Sequence, residues 1–181
     1  MTGVSQENII PQTYELLFSE EQILQRVREL GAEIEGHFEG RKPILIGVLN
    51  GGFVFLSDLI RCINTDLEID FLRISSYGDT RESSGHIKIL KPLSADIRDR
   101  SVVVVEDIVD SGLSIQFLKN MLSAFEPAEL RFATLLHKPE RTMVDINLDY
   151  VGFEIEDRYV VGYGLDDAQI KRNLRGIYVV G

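Results

Sequence analysis

Residues 106–114 gather several groups able to do chemistry: Glu106, Asp107, Asp110, Ser111, Gly112 and Ser114. Ser111 and Ser114 offer hydroxyl donors, and Gly112 lets the backbone approach a ligand closely. If a helix begins here, its first N–H groups and its positive dipole end also face an anion. Three carboxylates stand beside that cradle and would repel a bare phosphate. A ligand that needs both is a phosphorylated sugar, with the phosphate in the loop, hydroxyls on the acids and a divalent cation between them. The loop lacks the Lys of a Walker-type nucleotide loop and the spacing of a G-x-G-x-x-G dinucleotide turn.

The flanking sequence supplies the strand and helix that such a loop needs. Val102 to Val105 is a β-branched run expected of a strand buried on both faces, and Ile115 to Phe125 reads as an amphipathic helix. Upstream, Ser19 with Gln22 fits a capping box, and Ile23, Val27, Leu30, Ile34 and Phe38 follow at helical spacing, so residues 20–38 are expected as one helix ending near Gly40. Pro43 to Leu49 reads as a strand broken at Asn50-Gly51-Gly52, and Phe53 to Ile63 as a helix packed back onto the sheet. Leu67 to Ser76 alternates as a strand with Ile69, Phe71 and Ile74 among its apolar positions. The polar stretch Tyr77 to Gly85 reads as a mobile loop and His86 to Leu90 as a returning strand. Leu130 to Leu136, Tyr150 to Phe153, Tyr159 to Tyr163 and Gly176 to Val180 supply four further extended pieces. Strands alternating with helices predict an α/β protein with a mainly parallel, twisted sheet flanked by helices, and ligands at the carboxyl ends of its strands.

Composition narrows the possibilities. At 181 residues, with no repeat or linker, 1–181 reads as one domain. A net charge of −10 argues against non-specific nucleic-acid binding, which needs clustered Lys and Arg. The apolar runs are strand-length, so no membrane span is expected, and the first residues show no basic segment followed by an apolar one. The single cysteine, Cys62, excludes an intrachain disulfide and suits a reducing cytoplasm; it reads as a small core hydrophobe. His37, His86 and His137 show no metal-ligand spacing.

Glu106-Asp107-Ile108-Val109-Asp110-Ser111-Gly112 resembles the phosphoribosyl-diphosphate signature of the purine phosphoribosyltransferases. In the family's order come Val48-Leu49-Asn50-Gly51-Gly52, Ser76-Tyr77, Leu135-Leu136-His137-Lys138, Val151-Gly152-Phe153-Glu154-Ile155, Tyr159 to Asp166, and Arg172-Asn173-Leu174. The similarity runs from about residue 45 to the C-terminus and is greatest to the hypoxanthine (6-oxopurine) branch.

That resemblance implies a type I phosphoribosyltransferase fold with a small hood formed by terminal segments. It also implies purine salvage, a magnesium-dependent transfer of phosphoribosyl from 5-phosphoribosyl 1-diphosphate to a purine base, giving IMP or GMP and pyrophosphate. Glu106 and Asp107 would hold the ribose hydroxyls, directly or through Mg2+, and Asp110, Ser111, Gly112, Leu113 and Ser114 the 5′-phosphate. Asp110 would also stand next to purine N7 as catalytic base or proton acceptor. Lys138 would meet O6, Tyr159 would stack on the ring, and the backbone of Val160 would read its edge. Asp166 would hold a second magnesium at the pyrophosphate beside Arg172. Asn50 and Gly51 match a loop whose unusual cis peptide presents amides to pyrophosphate in relatives, and Ser76 and Tyr77 would lead into a loop closing over the site. The partners implied are the two substrates, without nucleic acid or membrane, and a homodimer or homotetramer.

The chain departs from the pattern at Asn50, where many relatives carry a basic residue, and at Leu113, which is Lys in some; the backbone amides survive both changes. Hypoxanthine, guanine and xanthine share O6 and N7, so Lys138 and Asp110 do not distinguish them. A regulator that kept the fold to sense the phosphorylated sugar is the alternative of a different class, and it would be expected to show a basic face. Asp166 fits a helix N-cap as well as a ligand. Phe53, Phe55 and Leu59 suit an interface as readily as a core.

Overall fold

Alternation of buried side chains along the central strands explains the layering of the protein. The computed structural model describes residues 10, 11, 13–77 and 86–181. Successive strand residues point to opposite faces, so Val102 and Val104 of β5 (Ser101–Val109) enter one apolar cluster while Val103 and Val105 enter the other. All four are fully buried, as a strand covered on both sides requires. Around β5 lie β2 (Ile44–Leu49), β3 (Glu68–Tyr77), β4 (His86–Lys91), β6 (Glu129–His137) and β7 (Tyr150–Glu154), in the order β4-β3-β2-β5-β6-β7. The pairs from β3 to β7 are parallel, and β4 runs antiparallel to β3, the hairpin expected from sequence.

Helix α1 (Glu20–His37) starts where its capping box dictates. The Gln22 N–H donates to Ser19 Oγ at 3.3 Å, and the Ser19 N–H donates to Gln22 Oε1 at 2.9 Å. Its stripe of Ile23, Val27, Leu30 and Ile34 is fully buried, each side chain worth about 1.5–3 kcal/mol of burial. Helix α2 (Gly52–Ile60) packs on the same side of the sheet, where Phe55 and Leu59 are core; Phe53 projects outward and is 53% exposed. Helix α3 (Leu113–Ser123) covers the opposite face through Ile115, Leu118 and Leu122.

A second sheet combines the two ends of the chain. Strand β1 (Tyr14–Phe18), β8 (Val160–Val161) and β9 (Ile177–Val180) form an antiparallel sheet in the order β1-β9-β8. Val160, Tyr163, Leu165, Ile177 and Val179 share the core cluster of α1 and α2. Strand β1 was absent from the expected elements because its partner lies over 150 residues away in sequence. The extended piece expected over Tyr159 to Tyr163 shrinks to Val160–Val161, since Gly162, Tyr163 and Gly164 all take positive φ. Among the described residues no helix is long and apolar enough to cross a membrane.

Candidate active site

From β2 the sheet grows toward β3 and β4, and from β5 it grows toward β6 and β7, so the connections after β2 and β5 diverge to opposite faces. A crevice opens at such a reversal. Here it is a cleft of about 530 Å³, lined by Asn50 and Gly51 after β2, Glu106 to Gly112, Ser114 at the start of α3, and Asp166, Gln169 and Arg172 beyond β8. Most of the sugar and phosphate residues expected from sequence therefore meet in one place. Leu113, Lys138, Tyr159 and Val160 do not line this cleft. Ser76 and Tyr77 end β3, and the rest of the loop expected there, 78–85, lies outside the described residues.

The turn expected to cradle a phosphate is built by a left-handed residue. Gly112 has φ +80° at the N-cap of α3, and a Cβ there would meet Val144 at 2.9 Å. The first intrahelical bond is Gln116 N–H to Gly112 O at 3.0 Å, so the N–H groups of Leu113, Ser114 and Ile115 precede it without an intrahelical acceptor. Ser111 Oγ accepts from Leu113 N–H at 3.5 Å. The helix therefore begins earlier than the expected Ile115, because the glycine sets its cap.

Glu106 and Asp107 lie on opposite faces of β5, and both line the cleft. Glu106 is only 7% exposed. Burial pushes its carboxyl well above the usual range, and the neighbouring Asp107 charge adds to this. Burial likewise raises Asp107 to about 6, against the lowering effect of its bond from Ile108 N–H (3.0 Å) and of the Arg172 charge. Asp107 also lies against the loop after β2: a Cβ on Gly51 would come 1.5 Å from Asp107 Oδ2. The peptide bond Leu49-Asn50 is cis, one bond before the Asn50-Gly51 pair matched in the sequence.

The small sheet carries the other wall. Gly164 N–H donates to Arg172 O and Tyr163 N–H to Leu174 O, at 3.0 and 2.9 Å, which folds the segment after β8 into a compact loop. Within it Arg172 pairs with Asp166 at 2.6 Å and donates to Gly164 O at 2.7 Å. Asp166 Oδ2 accepts from Gln169 N–H at 2.8 Å. The N-cap expectation thus becomes a turn cap: no helix follows, and Ala168, Gln169 and Lys171 have positive φ. Tyr159 is 54% exposed, and its hydroxyl donates to Asp166 O at 3.0 Å. Val160 is buried in β8.

Next to Asp110, at the end of the cleft, stands a cluster of four charges. Lys138 is only 6% exposed; its Nζ is 3.5 Å from Asp110 Oδ2 and 3.3 Å from Asp157 Oδ1. Arg141 Nε donates to Asp110 Oδ1 at 2.9 Å, and its other arm reaches Asp157 Oδ2 at 3.3 Å. Sequence reasoning found Lys138 and Asp110 but missed Arg141, Asp157 and Gln169. Position alone hinted at them, since Arg141 follows Lys138 by three residues and Asp157 precedes Tyr159 by two. Their partners are set by strand order, which no local pattern shows.

A mainly parallel sheet with an anion cradle and an acidic pair at its point of reversal defines a protein suited to a phosphorylated, hydroxyl-bearing ligand. A model of the phosphoribosyl transferase domain matches residues 13–168. The chain belongs to the phosphoribosyl transferase family. It is 44% identical over 165 residues to the hypoxanthine-guanine phosphoribosyltransferase of Bacillus subtilis, covering 91% of this chain and 92% of that one. The crystal structure of a hypoxanthine-guanine phosphoribosyltransferase from Bacillus anthracis, with HEPES in its active site, superposes with a TM-score of 0.89 at 48% identity, covering 92% of this chain and 98% of the other. A hypoxanthine phosphoribosyltransferase from Staphylococcus aureus gives a TM-score of 0.91 at 36% identity, with coverage of 100% and 97%.

Proposed function

We propose that this protein is a purine-salvage enzyme that transfers the 5-phosphoribosyl group from 5-phosphoribosyl 1-diphosphate to hypoxanthine or guanine, giving IMP or GMP and pyrophosphate. The observation that carries this is the junction of two unlike half-sites at Asp110: the cradle and acidic pair on one side, and the buried Lys138 on the other. The first half suits a phosphorylated pentose, and the second suits a base with a carbonyl acceptor beside a ring N–H.

The chemistry asked of the side chains follows from charge. A ring nitrogen of the purine bonds to C1 of the ribose as the bond from C1 to the pyrophosphate oxygen breaks, and the sugar gains oxocarbenium character in passing. The N–H groups at the start of α3, with Ser111 and Ser114, hold the 5′-phosphate. Glu106 and Asp107 orient the ribose hydroxyls, and Arg172 and the amides of the Asn50-Gly51 turn receive the pyrophosphate. Lys138 donates to O6 while Asp110 takes the proton from N7. Tyr159 stacks on the purine, and the Val160 backbone reads its edge. Ser76 and Tyr77 begin the segment assigned to closure, which would exclude water from the electrophilic sugar.

The donor set fits magnesium. Glu106, Asp107 and Asp166 are hard oxygen donors, and among the described residues no group of three or more His, Cys, Asp or Glu is arranged to hold a metal alone. Magnesium suits such a site because it binds through one or two carboxylates, water and substrate phosphates rather than an all-protein cage. Burial disfavours the ionised forms of Glu106 and Asp107, and a cation would restore them. When bound, the metal would neutralise charge on the leaving pyrophosphate.

A cytoplasmic location and an assembly of two or four copies belong to the same proposal, and light scattering tests the assembly. The test of function is nucleotide formation by the purified protein with magnesium and 5-phosphoribosyl 1-diphosphate, supplied separately with hypoxanthine, guanine, xanthine and adenine. Turnover with hypoxanthine or guanine is expected. No turnover with any base overturns the assignment, and turnover with adenine alone contradicts the roles given to Lys138 and Val160.

A further inference from the structure

The charge cluster at the base end of the site contains one carboxylate with no part in the chemistry described so far. Asp110, Lys138, Arg141 and Asp157 form a closed ring of alternating sign, in which each cation touches both carboxylates at 2.9–3.5 Å. The ring spans the ends of three neighbouring strands: Asp110 follows β5, Lys138 and Arg141 follow β6, and Asp157 follows β7. Backbone bonds hold these ends in register, from Lys138 N–H to Val109 O and from Ile155 N–H to His137 O, both at 2.9 Å. The neighbouring His137 faces elsewhere, contacting Thr142 Oγ1 at 3.0 Å and Glu154 at 3.8 Å.

The two carboxylates differ in what they can reach. Asp110 lines the cleft, whereas Asp157 does not. Once Asp110 accepts the purine proton it no longer balances the two cations, and a buried ammonium left without a counter-ion is costly. Among the described residues, Asp157 is the other carboxylate in contact with Lys138.

We propose that Asp157 is a positioning residue for purine recognition: it anchors Lys138 toward the base and leaves Asp110 able to turn from Lys138 and Arg141 to the ring. Asp157 also sits two residues before Tyr159, so the same contact ties the segment carrying the stacking ring to the residue that meets O6. This role rests on the functional assignment above.

The test is steady-state kinetics of Asp157→Asn and Asp157→Glu, with thermal midpoints, and competitive inhibition by unsubstituted purine, which lacks the 6-oxo group. Loss of one charge-assisted contact predicts a rise of roughly 10–100-fold in KM for hypoxanthine for Asp157→Asn. The KM for 5-phosphoribosyl 1-diphosphate should stay within about twofold, and inhibition by unsubstituted purine, which keeps the ring contacts but lacks the ammonium–O6 contact, should weaken less than the KM for hypoxanthine rises. Asp157→Glu should recover most of the loss. An unchanged KM for hypoxanthine overturns the proposal. So do equal losses toward both substrates with a lowered thermal midpoint, which would make Asp157 merely structural. A parent enzyme inactive with every 6-oxopurine would instead remove the functional assignment, and this role with it.

Discussion

The carboxylate of Asp107 lies directly over the α-carbon of Gly51, so close that a methyl group on Gly51 would fall 1.5 Å from Asp107 Oδ2 and 2.4 Å from its Cγ. The glycine is what allows the loop after β2 and the end of β5 to share one cleft. Gly51→Ala must therefore displace the Asp107 side chain or move the loop. Misplacing a positioning group by about 1 Å costs on the order of 100-fold in rate. A loss of that size in kcat/KM for 5-phosphoribosyl 1-diphosphate is expected, with the circular dichroism spectrum retained. Activity within about threefold of the parent would show that Asp107 is not held where the sugar needs it.

Asp110 is expected to act at the chemical step. Asp110→Asn keeps the shape and removes the proton acceptor, so kcat should fall by roughly 100- to 10,000-fold. The KM for 5-phosphoribosyl 1-diphosphate should change little, because the proposed phosphate contacts are backbone amides and hydroxyls of the same loop. Equal losses in kcat and in sugar binding would assign Asp110 to the scaffold.

Removing divalent metal should abolish turnover without unfolding the chain. Glu106 and Asp107 lie within β5, a strand paired with β2 on one side and β6 on the other, so the fold does not form around the metal as a zinc finger's does. Chelation should eliminate product formation, magnesium should restore it, and the thermal midpoint without substrate should move by only a few degrees. Asp107→Asn should raise the magnesium concentration for half-maximal activity by about tenfold or more. Full activity in excess chelator would exclude the metal role of the acidic pair.

At the opposite end of the sheet, Glu129 is a structural counterpart to the acidic pair. Its partial burial would raise its pKa, but bonds from His37 Nε2 (2.7 Å), Arg131 Nε (2.6 Å) and Arg41 (2.7 Å) outweigh this and hold it at about 2. The folded value lies below the unfolded one, so the stabilisation is fully present above the usual carboxylate value of 4.5 and is lost as pH falls toward 2. Glu129→Gln should cost roughly 1–2 kcal/mol at neutral pH, and the gap from the parent should narrow as pH drops through that window. A gap independent of pH in urea melts would mean that packing, not charge, carries the effect.

Much of the site was legible because its parts are local. The acidic pair, the serines and Gly112 fall within nine residues, and their chemistry follows from residue type and from a strand followed by a helix. The valine run announced a doubly covered strand, and the capping box located the start of α1. Elements that depend on distant partners were not legible. Strand β1 exists because β9 pairs with it, and the segment after Tyr159 is shaped by positive-φ residues and bonds from Tyr163 and Gly164 to the residues near 172. No periodicity marks such a loop.

By itself, the sequence determined which groups are present and which element each one ends, because strand alternation, helix stripes and caps are properties of neighbouring residues. It thereby settled the kind of ligand chemistry on offer at residues 106–114. Tertiary structure alone decided which carboxylate faces which cation. The order β2-β5-β6-β7 sets Gly51 against Asp107 and closes the ring of Asp110, Lys138, Arg141 and Asp157. Charges act through space over a few ångströms, and only the packing of the sheet fixes those distances.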